Sequence, residues 1–432
     1  MFRYLLLSLL FTLFLSACGT ESASDPEPLA TCSNGMADTF TCSNIDLQAI
    51  VSPAELIGEK LNDTWGWTDS QTQKEYALVG LTDGVTFVDI TEPSLPVVIG
   101  KLTEPAAASS KIAEPPQILR HDDSGGLKGE SAWRDLKVYK NHLFITSEQN
   151  NHGLQIFDLT QLRDQGNPPV MFTDYQLYSK FGNAHNIAIN EETGFAYITG
   201  STSGELCAEN GALHIVDITS PKSPEYAGCH LEESAGGFTR NGYVHDTQCV
   251  IYNGPDQKYL GREICFSSSE LSFLISDVTD KSNPITLSNS TFAGRNYLHQ
   301  GWLTNDHSRF FMNDELDEIR LDQPTKTYIW SLDDLKNPEM IGFYTHSAKS
   351  IDHNLYIRNE TMYQANYTAG LRIFDVSNPQ PDQINEIGFF DTTPDNDDAE
   401  FAGLWSVYPW YRSHKIVVSD IDHGLFILTF NP

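Results

Sequence analysis

A short apolar run that ends in aspartate, or in the position where the other copies have aspartate, recurs seven times along the chain. β-Branched and aromatic residues dominate the copies, and several are followed by a turn that contains proline. The copies are GVTFVDI from Gly84, GLQIFDL from Gly153, ALHIVDI from Ala212, SFLISDV from Ser272, TYIWSLD from Thr327, GLRIFDV from Gly370 and GLFILTF from Gly424, which has lost its aspartate. A repeat of short β-rich segments at a period of roughly 40–70 residues is typical of a propeller or a solenoid.

Each repeat is predicted to form four strands. The third contains HNIAIN, FAYITG, ALHIVDI and PEYAGC in succession, with the two-residue alternation of β-strands. We therefore predict an all-β fold, a seven-bladed β-propeller of four-stranded blades over residues 32–432. The last repeat lacks a fourth strand, which would leave an unpaired sheet edge. We predict that Ile45–Val51, which has no other partner, pairs with the last blade and closes the ring.

The first 31 residues are predicted to be a leader and a tether. Residues 1–17 combine Arg3 with an apolar segment too short to span a membrane as a mature helix, as in a signal peptide. Leu15-Ser-Ala-Cys18 resembles the lipobox of bacterial lipoproteins, which implies a lipid on Cys18; the alternative is an ordinary signal peptide with an incidental cysteine. Residues 18–31 are typical of a flexible tether. No aspartate follows Cys18, which favours the outer membrane over the inner one.

Net charge restricts the partners. The formal net charge is −31 at pH 7, so nucleic acid and anionic membrane surfaces are repelled and cations are attracted. We expect a monomer that reaches the membrane through its lipid and binds an envelope protein or a small molecule.

Six cysteines remain after Cys18, and an exported protein can oxidise them. We predict local disulfides, with free buried thiols as the alternative. The predicted pairs are Cys32–Cys42, Cys207–Cys229 and Cys249–Cys265. None of these cysteines lies in a C-x-x-C motif, which disfavours thiol redox catalysis and cysteine zinc sites.

Four histidines occupy the same position at the start of consecutive inner strands, and inner strands surround the tunnel of a propeller. They are His185, His245, His299 and His353. Other residues near the strand starts, or in loops that open on the same face, are predicted to line the tunnel mouth: Trp65, Trp133, Asp135, Asn186, Asp246, Asn366 and Trp405. For the tryptophans, packing between blades is the commoner role, and stacking on a sugar is the alternative.

A divalent metal suits this composition. Imidazole binds Zn, Cu or Fe, whereas carboxylate binds Mn or Ca, and the loop after the second strand of the fifth repeat adds Asp314 and Glu315 to the four histidines. A purely structural role of the histidines is an equally good interpretation. The acidic stretch from Asn313 to Glu318 lacks the spacing of a known calcium loop, so we interpret it as a solvated acidic loop, with a Ca²⁺ site as the alternative.

The ordered motifs resemble a known family. The apolar repeats are similar to LVIVD repeats, and their order with Trp65-Gly-Trp, Trp133-Arg-Asp, Tyr243-Val-His-Asp, His299-Gln-Gly-Trp and Asp352-His-Asn resembles the choice-of-anchor B family of bacterial exported proteins. The resemblance runs from about Cys32 to the C-terminus. It implies a propeller-like domain at the cell surface, and it implies no biochemical role. The sequence departs from the family pattern in that we expect no C-terminal sorting tail, with the N-terminal lipid as the anchor instead.

We therefore expect a lipid-anchored binding or scaffold propeller of the cell envelope, whose tunnel mouth binds a metal or a small ligand. The alternative is a propeller metalloenzyme, similar to an oxidoreductase, with its metal held by the histidines. A third interpretation is an adhesive surface protein with structural histidines. The sequence contains no G-x-S-x-G, P-loop, dinucleotide-binding or H-E-x-x-H motif, so enzymatic activity is left open.

Overall fold

A computed structural model describes residues 27–105, 133–202, 204, 207, 212–346 and 348–432. These residues form seven antiparallel blades of four strands each, arranged as a β-propeller. The predicted fold class is therefore confirmed. The predicted signal peptide and Cys18 lie outside the described residues.

The described residues form one short α-helix, α1 (Asp317–Leu321), one 3₁₀-helix, Leu159–Leu162, and β-strands. Their bounds are β1 (Met36–Ala37), β2 (Phe40–Ser43), β3 (Ile45–Val51), β4 (Leu61–Thr68), β5 (Glu75–Leu81), β6 (Gly84–Asp89), β7 (Val97–Thr103), β8 (Arg134–Tyr139), β9 (His142–Ser147), β10 (Leu154–Asp158), β11 (Val170–Phe172), β12 (Gln176–Tyr178), β13 (Asn186–Asn190), β14 (Phe195–Thr199), β15 (Leu213–Asp217), β16 (Glu225–His230), β17 (Asp246–Ile251), β18 (Glu263–Ser269), β19 (Ser272–Asp277), β20 (Ile285–Ser290), β21 (Leu298–Leu303), β22 (Arg309–Asp314), β23 (Lys326–Ser331), β24 (Glu339–Thr345), β25 (Leu355–Arg358), β26 (Thr361–Ala365), β27 (Leu371–Asp375), β28 (Asn385–Phe390), β29 (Leu404–Tyr408), β30 (Lys415–Asp420) and β31 (Gly424–Phe430).

In six blades the four strands pair in sequence order, although in blade 2 the strand β11 intervenes and pairs with blade 1 instead. The seventh blade takes its fourth strand from the N-terminal segment. Blade 1 is β4–β7, blade 2 is β8–β10 with β12, blade 3 is β13–β16, blade 4 is β17–β20, blade 5 is β21–β24, blade 6 is β25–β28 and blade 7 is β29–β31 with β3. The cores lie between neighbouring blades. Phe87 of blade 1 stacks on Phe157 of blade 2 at 4.9 Å between ring centroids, and Phe273 of blade 4 stacks on Phe310 of blade 5 at 4.8 Å.

The repeated aspartate at the end of the third strand fixes the turn that follows it. In blade 2, Oδ1 of Asp158 accepts hydrogen bonds from the backbone N–H and the hydroxyl of Thr160, at 3.1 and 2.6 Å. Asp89, Asp217, Asp277 and Asp375 accept equivalent bonds from the residue two positions later. Such aspartate turns satisfy backbone groups that leave the sheet, which explains why the residue recurs.

The N-terminal strand closes the ring, as the sequence predicted. β3 pairs antiparallel with β31, from Ile45 opposite Phe430 to Val51 opposite Leu425. The preceding strand β2 pairs instead with β28, with Cys42 opposite Phe390. The segment that contains the Cys32–Cys42 disulfide therefore joins blade 6 to blade 7 rather than extending blade 7 alone.

All three predicted disulfides are present: Cys32–Cys42, Cys207–Cys229 and Cys249–Cys265. Three disulfides indicate an oxidising compartment, either extracellular or periplasmic. Within the described ranges, no helix combines the length and the apolar character that a membrane crossing requires.

Candidate functional site

The four predicted histidines form one continuous row on one side of the tunnel, called the histidine row below. Neighbouring ring centroids are 4.1 Å apart for His185 and His245, 4.3 Å for His245 and His299, and 4.3 Å for His299 and His353. Each histidine lies at or just before the start of an inner strand, in blades 3 to 6 in turn. Because the four histidines occupy the same position in consecutive repeats, one row contains residues as remote in sequence as His185 and His353.

Glu315 completes a group that can hold a metal ion. It follows β22, in the loop between the second and third strands of blade 5, which opens on the same side as the strand starts. Its Oε2 lies 3.8 Å from Nε2 of His299, and its Oε1 lies 3.5 Å from Nε2 of His353. One ligand atom from each of the three buried residues lies within 4.8 Å of the others.

Backbone carbonyls determine which imidazole nitrogen carries the proton. Nδ1 of His353 lies 2.7 Å from the carbonyl oxygen of Trp405, and Nδ1 of His245 lies 2.8 Å from that of His299. A carbonyl oxygen only accepts, so each Nδ1 carries hydrogen and each Nε2 keeps its lone pair. This arrangement is typical of histidines that bind metals.

Burial keeps most of the row neutral. It lowers the pKa of His245 and His299 well below 6.5, assisted by neighbouring imidazoles, and it lowers the pKa of His353 to about 3. Burial acts in the opposite direction on Glu315 and raises the pKa of its carboxyl group to about 7, although Tyr367 donates a hydrogen bond to it at 2.9 Å. Neutral imidazoles are the form that binds metals, and a cation would replace the proton on Glu315.

His185 at the end of the row differs from the others. Burial lowers its pKa, but the 2.6 Å hydrogen bond from its Nδ1 to Glu148 and the charges of Glu148, Asp246 and Glu315 together outweigh burial, and the net shift is upward. Glu148 follows β9, in the loop of blade 2 that corresponds to the Glu315 loop of blade 5. The row therefore combines an acid–base pair at one end with a possible ligand group at the other.

Buried tyrosines surround the histidine row, and the sequence analysis did not select them. The ring of Tyr297 packs against His245 at 5.3 Å, and that of Tyr367 against His353 at 4.8 Å. The available signal was the tripeptide Tyr-x-His, which occurs at Tyr243 and again at Tyr297.

Asp135, Asn186 and Asp246 form a layer next to the histidine row. Asn186 donates to Asp246 at 2.6 Å, while the other carboxylate, Asp135, accepts from the backbone N–H of Ile187 at 2.8 Å and pairs with Lys137 at 2.6 Å. These bonds run between blades 2, 3 and 4. The three predicted residues thus connect neighbouring inner strands.

Trp405 and Asn366 lie beside the end of the row, and Trp133 does not occupy the histidine position. The ring of Trp405 contacts His353 at 4.7 Å, and Asn366, which precedes Tyr367 in the chain, is fully buried. Asp135 of blade 2 accepts a hydrogen bond from the backbone N–H of Ile187 in blade 3, so Asp135 and Asn186 occupy equivalent positions in their strands. The residue equivalent to His185 is therefore Arg134 and not Trp133.

Trp65 is in the tunnel, but in its other half. The prediction that it lies near the start of an inner strand is wrong, since β4 begins at Leu61 and Trp65 lies in its middle. Trp65 contacts Tyr408 and Trp410 at 5.1 and 5.4 Å between ring centroids. Leu61, Asn62, Asp63 and Thr64 precede Trp65 in the same strand, so Trp65 lies farther along the tunnel.

The Trp65 half of the tunnel contains a cavity of about 430 Å³. Aromatic side chains line one part of it and polar side chains the other. The lining includes Trp65, Trp302, Tyr356, Tyr408, Trp410, Lys137, Asp246, Gln248 and Gln300. Such a mixed cavity has the size of a small-ligand site.

The acidic stretch after β22 is not a solvated loop, so that preferred interpretation is wrong. Asp314 and Asp317 are fully buried, and Glu315 and Glu318 are exposed by only 6% and 2%. Asp314 accepts hydrogen bonds from the backbone N–H groups of Asn296, Tyr297 and Leu316, so its carboxylate supports the local backbone.

Comparisons with known proteins assign no family to this architecture. A scan against protein-family models matched none, and a search of curated proteins gave no significant match.

Proposed function

We propose that this chain is an envelope β-propeller that binds a divalent transition metal through His299, Glu315 and His353. The observation that carries the proposal is the convergence of these three ligand atoms within 4.8 Å in a buried tunnel. The tautomer of His353 supports the proposal. Its Nδ1–H donates to a backbone carbonyl, so its Nε2 keeps a lone pair for the metal. As part of a binding or scaffold module, the metal would serve as the point of attachment for a ligand or partner.

The ligand set favours Zn, Fe, Mn or Cu. Two imidazoles and one carboxylate form a mixed nitrogen and oxygen set, whereas Ca²⁺ prefers oxygen alone. Three protein ligands leave room for water or a further ligand, which is typical of sites that exchange what they bind. His245 is adjacent to His299 but does not belong to the group whose ligand atoms lie within 4.8 Å of one another.

Elemental analysis of the purified full chain tests the metal site. We expect about one equivalent of a transition metal, and at least tenfold less in a His299→Ala, His353→Ala double variant. The control is His307→Asn, in the turn between β21 and β22, where asparagine tolerates the positive φ of 51°. Unchanged metal content in the double variant, or a metal-free wild type after incubation with each metal, would refute the site.

A catalytic role for the same metal is the second candidate. The observation that favours it is the His185–Glu148 pair, which places an acid–base group in the same row as the ligands. The oxidoreductase form of this proposal requires a redox-active metal. A protein that binds only zinc would exclude that form and leave the binding module.

We also propose that the chain belongs with the choice-of-anchor B proteins and is tethered by a lipid on Cys18. The lipobox supports the anchor, and the oxidising compartment indicated by the disulfides is compatible with it. We expect metabolic palmitate labelling and membrane fractionation of the wild type, and loss of both in Cys18→Ala. Labelling that persists in this variant would rule out the anchor.

A further inference from the structure

The cavity of about 430 Å³ in the other half of the tunnel has no part in the proposed metal site, and it is called the aromatic cavity below. The histidine row lies at the starts of the inner strands. By contrast, Trp302 is next to last in β21, and Tyr408 is the last residue of β29. Trp410 lies two positions after the end of β29. The aromatic cavity is therefore a second candidate site, at the opposite end of the inner strands.

The aromatic cavity has two chemically different walls. The residues that line it from blades 5, 6, 7 and 1 are aromatic except for Gln300, and the described residues that line it from blades 2, 3 and 4 include no aromatic side chain. The aromatic wall consists of Trp302, Tyr356, Tyr408, Trp410 and Trp65, and the polar members of the opposite wall include Lys137, Asn190, Asp246 and Gln248. A ligand that fills this space must present an apolar face on one side and polar groups on the other.

Trp410 holds the aromatic wall together. Its ring centroid lies 5.4 Å from that of Trp65, 5.9 Å from Trp302, 5.1 Å from Tyr356 and 5.3 Å from Tyr408. Glycine is required at position 66, because a Cβ at Gly66 would lie 2.1 Å from Cε1 of Tyr408. Tilted and edge-to-face contacts of this kind fix the rings relative to one another, so the wall is already formed without a ligand.

Both walls keep polar groups available to a ligand. Trp65, Trp302 and Trp410 are only partly buried, and their indole N–H groups donate to no protein acceptor in the described part of the chain. On the opposite wall, Oε1 of Gln248 accepts from the backbone N–H of Leu303 at 2.8 Å, whereas its Nε2 donates to none of the described residues. The aromatic cavity therefore offers hydrogen-bond donors as well as aromatic faces.

The charges in the lining argue against an anionic ligand. Lys137 is the only cationic side chain among the described lining residues, and its Nζ lies 2.6 Å from Asp135 and 3.9 Å from Asp63. Because these carboxylates balance its charge, a phosphate or carboxylate group would find no uncompensated positive charge in the cavity.

The arrangement of the rings argues against a quaternary ammonium ligand. Such ligands bind in aromatic cages, with several ring faces directed at one cation. Here the rings of one wall pack on one another, and Nζ of Lys137 already lies 4.4 Å from the ring centroid of Trp65. A purely apolar ligand would in turn remove water from the polar wall without replacing its hydrogen bonds.

We propose that the aromatic cavity binds a saccharide, with one face of a pyranose ring stacked on the aromatic wall and its hydroxyl groups bonded to the opposite wall. The C–H bonds on a pyranose face carry partial positive charge, which the negative face of an aromatic ring attracts. Hydroxyl groups both donate and accept, which suits Lys137 and Gln248 as donors and Asp246 as an acceptor. The proposal does not rest on the metal site.

Calorimetry and intrinsic tryptophan fluorescence of the full chain test the proposal. The probes are glucose, galactose, mannose, N-acetylglucosamine, maltose, cellobiose, lactose and chitobiose, with choline and inorganic phosphate at the same concentrations. We expect saturable binding of at least one saccharide with a change in emission, and no binding of choline or phosphate. A disaccharide that binds more tightly than its monosaccharide identifies the end of a glycan as the ligand, and equal affinities identify a free sugar. Binding of choline or phosphate alone, or of none of the saccharides, would overturn the proposal.

Trp410→Ala removes the centre of the aromatic wall. It should weaken saccharide binding by about tenfold, because the ligand loses a stacking surface. The matched control is Trp67→Phe, which alters a tryptophan of β4 that packs on Tyr76 and does not line the cavity. This control should bind as tightly as the wild type. Equal affinities of Trp410→Ala and the wild type would contradict stacking on this wall.

A second variant keeps the test decisive if Trp410→Ala fails to fold. Ala188 lines the opposite wall within β13 and is partly buried, so Ala188→Phe fills the cavity without removing any aromatic contact. It should abolish saccharide binding and retain the metal content of the wild type. Saccharide binding that persists in Ala188→Phe would place the sugar elsewhere. The His299→Ala, His353→Ala variant should keep saccharide binding, which separates failure of this proposal from failure of the metal site.

Discussion

At the residue scale, the repeated aspartate and the histidine row illustrate two different uses of a repeat position. The aspartates act within their own turn, and Asp158 needs only Thr160 to do so. The histidines act together, because His299 and His353 become neighbours only when blades 5 and 6 pack. The sequence could identify both patterns, but only the packing made the second one a site.

Asp158 provides a test of the local role. Asp158→Ala should lower the free energy of unfolding by about 1 kcal/mol near pH 7, because the turn loses its acceptor. Burial opposes ionisation, but Lys222, at 2.8 Å, and Thr160 lower the pKa of Asp158 from 3.8 to about 2. The contribution is therefore complete above about pH 4 and is lost as the pH falls toward 2. Chemical denaturation at several pH values measures it.

The matched variant is Asp217→Ala in blade 3, which removes the equivalent hydrogen bond from the backbone N–H of Thr219. Both variants should lose the free energy that the aspartate turn contributes to folding. A loss for Asp158→Ala that stays constant from pH 7 to pH 2 would contradict the role of its ionised carboxylate.

Glu315 and Glu148 show how far prediction of the site could go. The position of Glu315 in a loop of the correct face followed from strand order, and its distance to His353 required coordinates. Glu148 occupies the corresponding loop of blade 2, but its pairing with His185 depends on how the blades are rotated relative to one another.

At the element scale, regular blades were predictable and irregular connections were not. In blade 2, the chain between β10 and β12 crosses to blade 1, where β11 pairs in parallel with β7, opposite Gly100. A Cβ at Gly100 would lie 2.1 Å from the carbonyl oxygen of Val170, so this contact requires glycine. A three-residue strand has too little alternation to be recognised in a sequence.

The displacement of Trp65 has a similar origin. β4 contains an irregular register between Leu61 and Thr64, so equivalent positions of blade 1 and blade 2 cannot be found by counting from an aromatic residue. An irregularity of this kind changes which side chains face the tunnel. The aromatic cavity was therefore not predicted, although Trp65 in its lining was identified.

At the scale of the whole molecule, closure of the ring connects the two ends of the chain. β3 supplies the last strand of blade 7, and β2 is attached to blade 6. The main chain supports the same junction, because Cys32 donates to Asp46 at 2.7 Å and Ala30 pairs with Leu47. Closure in this way leaves no open edge on the last blade.

Removal of the Cys32–Cys42 disulfide should weaken closure. Cys32→Ser with Cys42→Ser should cost about 3 kcal/mol by the loop-entropy relation. It should also accelerate hydrogen–deuterium exchange at Ile45–Val51, measured by mass spectrometry. The matched control, Cys249→Ser with Cys265→Ser, removes a bond within blade 4 and should leave exchange at Ile45–Val51 unchanged. Fast exchange there in the wild type would contradict closure by this strand.

The sequence by itself determined the seven blades, the closing strand, the three disulfides and the positions of the histidines, because each depends on a periodic or local pattern. Only the tertiary structure decided that Glu315 meets two histidines, that the acidic stretch is buried, and that Trp65 lines a separate cavity. The physical reason is that blade rotation and strand irregularities set the distances between segments remote in sequence, and no local pattern encodes those distances.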